Sequence, residues 1–260
     1  AWKAAQANPT LYARRFSAGG GDYGDESLSD EFYWAASELY ITTTDPQYET
    51  YLTNSREFGR LAAFDWGYTA PLGTIALLTT PNALPDNKLN QLWNNLIVYA
   101  DTMISVQDKD GYSALIAGDY PWGSNGTMLN NMILVGKAYQ LTGDVKYLNS
   151  VRMGMDYILG RNSLNRSFVS GYGTYPMLHP HHRFWANDLA NGYPPPPPGA
   201  VSGGPNFNPT DEAAKAADLM SRPPAKRYLD ELLSYSTNEV AINWNAPLVW
   251  VAAFLNQSSK

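Results

Sequence analysis

Cysteine is absent from this 260-residue sequence, which excludes disulfide cross-links and thiolate metal sites. Histidine is scarce, with three in all, and charge is sparse: Asp, Glu, Lys and Arg make up 16% of residues, for a formal net charge of −6. A chain this acidic and this thinly charged is a poor match for nucleic acid or an anionic membrane surface. No apolar run reaches membrane-spanning length, and Ala1-Trp2-Lys3 lacks the layout of a signal peptide, which leaves open that the sequence begins after one. What the chain has in quantity is aromatic surface, 18 Tyr and 8 Trp, within a 44% hydrophobic composition. That suits either a carbohydrate-stacking cleft or an ordinary large core. At this length one well-packed domain over residues 1–260 is expected.

Hydrophobic periodicity is helical throughout, and no segment alternates convincingly as a strand. Helices are expected over Ser29–Ile41, Pro46–Phe58, Tyr68–Thr79, Asp86–Val106, Thr127–Leu141, Asp144–Leu159 and Ser236–Leu255. The first opens on Ser29 as a cap, with acids in its first turn. An internal repeat supports an all-α fold of helical hairpins. Residues 36–48 align with 135–147, pairing Tyr40 with Tyr139, Thr43 with Thr142, Asp45 with Asp144 and Tyr48 with Tyr147. Each copy reads as helix, short Thr-Asp turn, then a helix capped by the aspartate. Such hairpins must stack to bury their faces, as a closed toroid or an open solenoid.

Chemistry-bearing residues gather in the C-terminal half. Asp230 and Glu239 stand near aromatic side chains in a stretch otherwise poor in charge. A carboxyl held among apolar neighbours in a buried helix should have a raised pKa, as a general acid requires. Tyr235 and Trp244 flank it and can stack on a sugar ring. The plainer alternative makes the two acids a helix cap and a satisfied core carboxylate. All three histidines fall within residues 179–182, followed by Arg183. In an extended loop His181 and Arg183 present their side chains to one face, where both can bond sugar hydroxyls. His182 points the other way and is expected to pack.

Together these segments resemble the two signature motifs of glycoside hydrolase family 9, the inverting cellulases. Tyr228, Asp230, Tyr235, Glu239, Ala241, Asn245 and Ala246 fill every slot of one; Ser167, Val169, Ser170, Gly173, Pro180, His181 and Arg183 fill the other, which departs only at Tyr175. The resemblance implies an (α/α)6 barrel, of which this chain is the C-terminal portion. It also implies hydrolysis of β-1,4-glucosidic bonds in cellulose or related glucans with inversion. Glu239 would be the acid, Asp230 and His181 active-site residues, and Arg183, Trp122, Trp244 and Tyr235 substrate-binding, with Trp185 a further stacking candidate. Two carboxyls roughly 6.5–9.5 Å apart are needed for inversion. The family's base lies in an Asp-x-Gly-Asp segment early in the domain. Asp22-Tyr23-Gly24-Asp25 copies that pattern in a mid-domain context, so the base is expected outside this sequence, on an N-terminal part present as a separate chain or elsewhere. Lacking it, the rival reading is an inactive glucan-binding fragment.

Further expectations follow from the resemblance. No cofactor is needed for chemistry, while Asp30, Glu31 and Asp65 fall where relatives bind a structural calcium ion; the alternative is an acidic pair favoured by the helix dipole. The proline run 194–198 edges the cleft instead of linking domains, and with residues 183–187 it resembles the cellobiohydrolase-type members. The substrate polymer cannot enter a cell, so the protein is expected to be extracellular. Hairpins at an open edge expose apolar faces, so the isolated chain is expected to self-associate.

Overall fold

The computed structural model describes residues 1–12, 24–185, 190 and 192–258. Ten α-helices are described: α1 (Trp2–Ala7), α2 (Ser29–Thr43), α3 (Pro46–Asn54), α4 (Ala70–Thr79), α5 (Asp86–Gln107), α6 (Ser124–Thr142), α7 (Val145–Ile158), α8 (Glu212–Ala216), α9 (Tyr235–Asn238) and α10 (Ile242–Ser258). Among the described residues no strand forms, and sheet-like pairing is confined to isolated bridges such as His181 with Glu239. The all-α expectation stands. The chain divides into two compact units, Ala1–Tyr99 and Ala100–Lys260.

In the first unit, Tyr33, Ala36 and Tyr40 of α2 pack with Leu52, Ala70, Leu77, Leu84 and Leu92. Gly73 lets α4 lie against α2, because a Cβ there would sit 2.7 Å from Ser37 Oγ. Ser29 does not cap α2: its hydroxyl donates to Glu57 Oε1 at 2.8 Å, and Leu28 holds the cap position without a side-chain bond. Glu57 is almost fully buried yet satisfied, accepting also from Arg56 Nε and Tyr68 Oη. That is the condition under which a buried carboxylate is tolerated.

In the second unit α6 is buried over most of its length and packs on α7 and α10. Buried amides on α6 are held by loop carbonyls, Asn125 Nδ2 by Ser202 O and Asn131 Nδ2 by Leu115 O, each at 2.9 Å. The repeat holds at atomic detail. Thr44 N–H and Gly143 N–H each close on the preceding tyrosine carbonyl at 2.8 Å, both in left-handed conformation. Asp45 and Asp144 then cap α3 and α7, accepting from Gln47 and Lys146 N–H, each at 3.0 Å.

Helix starts and ends differ from expectation by a few residues at α3, α4 and α6. One difference matters for function. The expected continuous helix 236–255 is broken into α9 and α10, with Glu239 extended between them (φ −63°, ψ 146°). Tertiary hydrogen bonds replace the helical ladder there: Gly203 N–H donates to Glu239 O at 2.8 Å, and Val240 N–H donates to His181 O at 3.2 Å.

Candidate active site

The two motifs meet in the second unit. His181 N–H donates to Asn238 O at 2.9 Å, and with the Val240 bond to His181 O this makes a parallel bridge that brackets Glu239. The acid therefore sits at a break between helices, half-buried, not inside one. Glu239 Oε2 accepts from the indole Nε1–H of Trp122 at 3.2 Å. Trp122 in turn lies 5.9 Å from the Tyr235 ring, tilted by 32°, and His181 lies 5.7 Å from the same tyrosine. Trp122, Tyr235, His181 and Glu239 thus form one cluster, with both aromatic rings substantially exposed.

Local sequence explains how Trp122 gets there. Gly123 adopts φ 78° at the start of α6, turning the chain immediately after the tryptophan. The first turn of α6 is then pinned to the loop at 202–205: Asn125 N–H donates to Gly203 O at 2.9 Å, its Nδ2 to Ser202 O at 2.9 Å, and Ser124 Oγ to Pro205 O at 2.6 Å. Since Gly203 also bonds Glu239 O, one loop locates both Trp122 and Glu239.

The His181 ring is oriented by Leu232 O, 2.6 Å from Nδ1. A carbonyl oxygen can only accept, so Nδ1 carries the hydrogen and Nε2 is left as an acceptor in the neutral ring. His182 packs as expected. Its ring stacks on Trp185 at 4.0 Å and 15°, and burial, with the neighbouring His181, holds its pKa below the usual value. Both line a cavity of about 300 Å³ with Pro197, Pro198, Gly199, Ala200 and the start of α10. The proline run is tied there through Ser170 Oγ, which donates to Pro197 O and accepts from Ala200 N–H. Arg183 is exposed, in a bend that follows His182. Ala186 and Asn187, in the stretch resembling cellobiohydrolases, lie outside the described residues, as do Asp22 and Tyr23 of the Asp-x-Gly-Asp copy.

Two candidates are bound up with protein contacts. Trp244 is wedged against glycine backbone: a Cβ would come within 2.3 Å of its ring at Gly126, 2.6 Å at Gly123 and 3.0 Å at Gly203. This is the packing of a structural tryptophan. Asp230 pairs with Arg166 at 2.8 Å and accepts from the N–H groups of Leu178 and His179 at 2.8 and 2.9 Å. Its carboxylate holds the loop that leads into His181. Arg166 carried no signal in the sequence, because its partner lies 64 positions away.

A separate acidic group lies in the first unit. Ligand atoms of Asp25, Asp30 and Glu31 all fall within 4.8 Å of one another. Burial first, then the Asp30 hydrogen bond and the charges of Asp30 and Asp25, raise Glu31 to about 7. Asp25 Oδ2 and Glu31 Oε2 are buried without a hydrogen-bond partner, and Asp30 Oδ2 accepts from Thr69 N–H at 2.6 Å. Clustered hard oxygens with unused lone pairs fit a cation such as Ca²⁺. Asp65 is not one of the three; its Oδ1 turns back to accept from Gly67 N–H at 2.7 Å. Asp25, five positions before Asp30, was the legible signal missed here.

A family model described as "Glycosyl hydrolase family 9" matches residues 1–252. The chain is 41% identical over 285 residues to a "Cellulose 1,4-beta-cellobiosidase" of Acetivibrio thermocellus, covering 99% of this chain and 32% of that protein. It is 39% identical over 265 residues to "Endoglucanase C" of Cellulomonas fimi, covering 98% of this chain and 24% of that one. The crystal structure of the GH family 9 endoglucanase J30 superposes with a TM-score of 0.86 at 28% identity, covering 98% of this chain and 48% of that one. AaCel9A in complex with cellobiose-like isofagomine gives 0.81 at 31% identity, covering 94% and 46%. The chain thus spans about a third or less of these two curated relatives, and about half of the two solved structures.

Proposed function

Because the chain belongs to glycosyl hydrolase family 9, we propose that it carries the acid half of a site that cleaves β-1,4-glucosidic bonds in cellulose or a related glucan, with inversion. Residues 1–260 are then the C-terminal part of a catalytic domain. The observation that carries the reading is the Trp122 bond to Glu239 within the His181–Tyr235 cluster. An indole N–H only donates, so Oε2 accepts it, which leaves Oε1 to pass a proton to the departing sugar oxygen. Trp122 and Tyr235 offer ring faces to the sugar. His181 Nε2 accepts a sugar hydroxyl, and Arg183 donates to another. Asp230 serves by alignment, holding the backbone ahead of His181. Trp244 supports the cluster from beneath.

The base that activates water is assigned to the N-terminal portion of the relatives, outside the stretch spanned here, joined to this chain or held as its separate partner. The apolar face of α10 supports such a partner, since Ile242 is 90% and Val249 69% exposed. Asp25, Asp30 and Glu31 are assigned a structural Ca²⁺ that neutralises their crowded charge, with no part in the chemistry. Secretion is part of the proposal, because polymeric glucan stays outside cells.

The test is hydrolysis of cellotetraose by this chain joined to the N-terminal portion, with anomer-resolved NMR of the product and Glu239→Gln as comparison. Inverted product with wild type and none with the variant is the expected result. Equal activity of the two removes Glu239 from the role of acid. Binding without hydrolysis by either protein favours the inactive glucan-binding fragment.

A further inference from the structure

We propose that Asn238 is a positioning residue whose buried amide fixes the register between the His181 segment and the backbone of Glu239. The inference rests on the reading of those two residues as a glucan-processing pair. Asn238 is fully buried and touches none of the exposed groups of the cluster. Its bonds instead converge on what carries them. Nδ2 donates to His179 O at 2.6 Å and to Asp230 Oδ1 at 3.4 Å, while Oδ1 accepts from Tyr228 Oη at 2.7 Å. Its backbone O accepts from His181 N–H, and its own N–H closes α9 on Ser234 O at 2.8 Å. One residue therefore ties the helical turn before Glu239 to both ends of the 179–181 segment.

The chemistry of the surroundings calls for an amide. Position 238 faces a carbonyl and a carboxylate on one side, both acceptors, and a hydroxyl donor on the other. A primary amide is the neutral group that offers two donors and an acceptor in one plane. A carboxylate of the same shape would set oxygen against oxygen at His179 and Asp230. An apolar replacement would take the amide donor from His179 O and leave Asp230 Oδ1 with His179 N–H and Tyr228 Oη with Ser202 Oγ as their remaining partners. Asp230 reinforces the arrangement by holding Leu178 and His179 N–H and Arg166. A shift at 238 thus moves His181 and Glu239 relative to each other, and Trp122 with Glu239.

The experiment is a nitrogen-15 NMR comparison of the histidine rings and indole N–H groups in the full chain. It sets wild type against Asn238→Ala and Asn238→Asp, with cellotetraose affinity measured on each. Both variants should displace the His181 ring and the Trp122 indole signals and weaken cellotetraose about tenfold. The Trp34 indole, which bonds Glu38 in the first unit, should stay in place. Asn238→Asp keeps the volume and loses the donors, so a merely space-filling role predicts a wild-type spectrum for it. Folded variants with unmoved His181 and Trp122 signals overturn the proposal, and so do signals displaced equally at Trp34. If neither variant folds, Tyr228→Phe, which removes the hydroxyl shared by Asn238 Oδ1 and Ser202 Oγ, decides by the same two signals, with Ser202→Ala as the comparison that removes the second bond alone. A wild-type chain that does not bind cellotetraose counts against the glucan reading, while the spectra still test Asn238.

Discussion

Glu239 and Asp230 are both acids in one motif, yet their surroundings give them different work. Glu239 receives one indole N–H and keeps an oxygen free, whereas Asp230 receives Arg166 and two backbone amides. Glu239→Gln in the assembled enzyme should therefore lower kcat by about 10²–10⁴-fold with little change in melting temperature. Asp230→Asn should instead destabilise the fold, by about 2–3 kcal/mol, because it leaves a half-buried guanidinium and two amides without their anion. Thermal unfolding of the two variants separates these outcomes; an Asp230→Asn protein as stable as wild type would contradict the anchoring role. The sequence singled out both acids by motif spacing. Their different partners, Trp122 for Glu239 and Arg166 for Asp230, lie far away in the chain and were not legible there.

At the scale of elements, the two hairpins are a sequence-encoded unit. The Thr-Asp turn repeats because each part has a local reason: a left-handed residue ends one helix and an aspartate caps the next. Gly143 meets the first requirement without strain, while Thr44 meets it at φ 56°. Thr44→Gly should thus raise stability by about 0.5–1 kcal/mol, less whatever the more flexible unfolded chain takes back. Asp144→Ala should cost about 1 kcal/mol through the lost cap, and chemical denaturation would measure both. The break between α9 and α10 was not legible in the same way. Residues 236–255 carry helix-compatible periodicity, but the backbone of Glu239 and Val240 is claimed by Gly203 and His181. Tertiary partners outbid local propensity there.

At the scale of the molecule, charge and apolar exposure make two expectations. Glu31 is held at about 7, above its unfolded value of 4.5. Between those values the folded state binds more protons than the unfolded one, so stability should fall as pH rises from about 4.5 to 7. Ca²⁺ should offset the loss above pH 7, read as a rise in melting temperature that EDTA reverses. No response to Ca²⁺ would argue against the assigned ion. The exposed face of α10 should make the isolated chain self-associate, and a monodisperse monomer by light scattering would contradict this. The sequence by itself determined the all-helical class, the repeated hairpin and the residues that mark the family, because periodicity, caps and motif spacing are written in neighbouring positions. Only the tertiary structure decided that Glu239 is extended, that Trp122 and His181 reach it, that Trp244 is packed on glycines and that Asp25 joins Asp30 and Glu31. Those facts depend on which groups satisfy one another's hydrogen bonds and fill one another's space after folding.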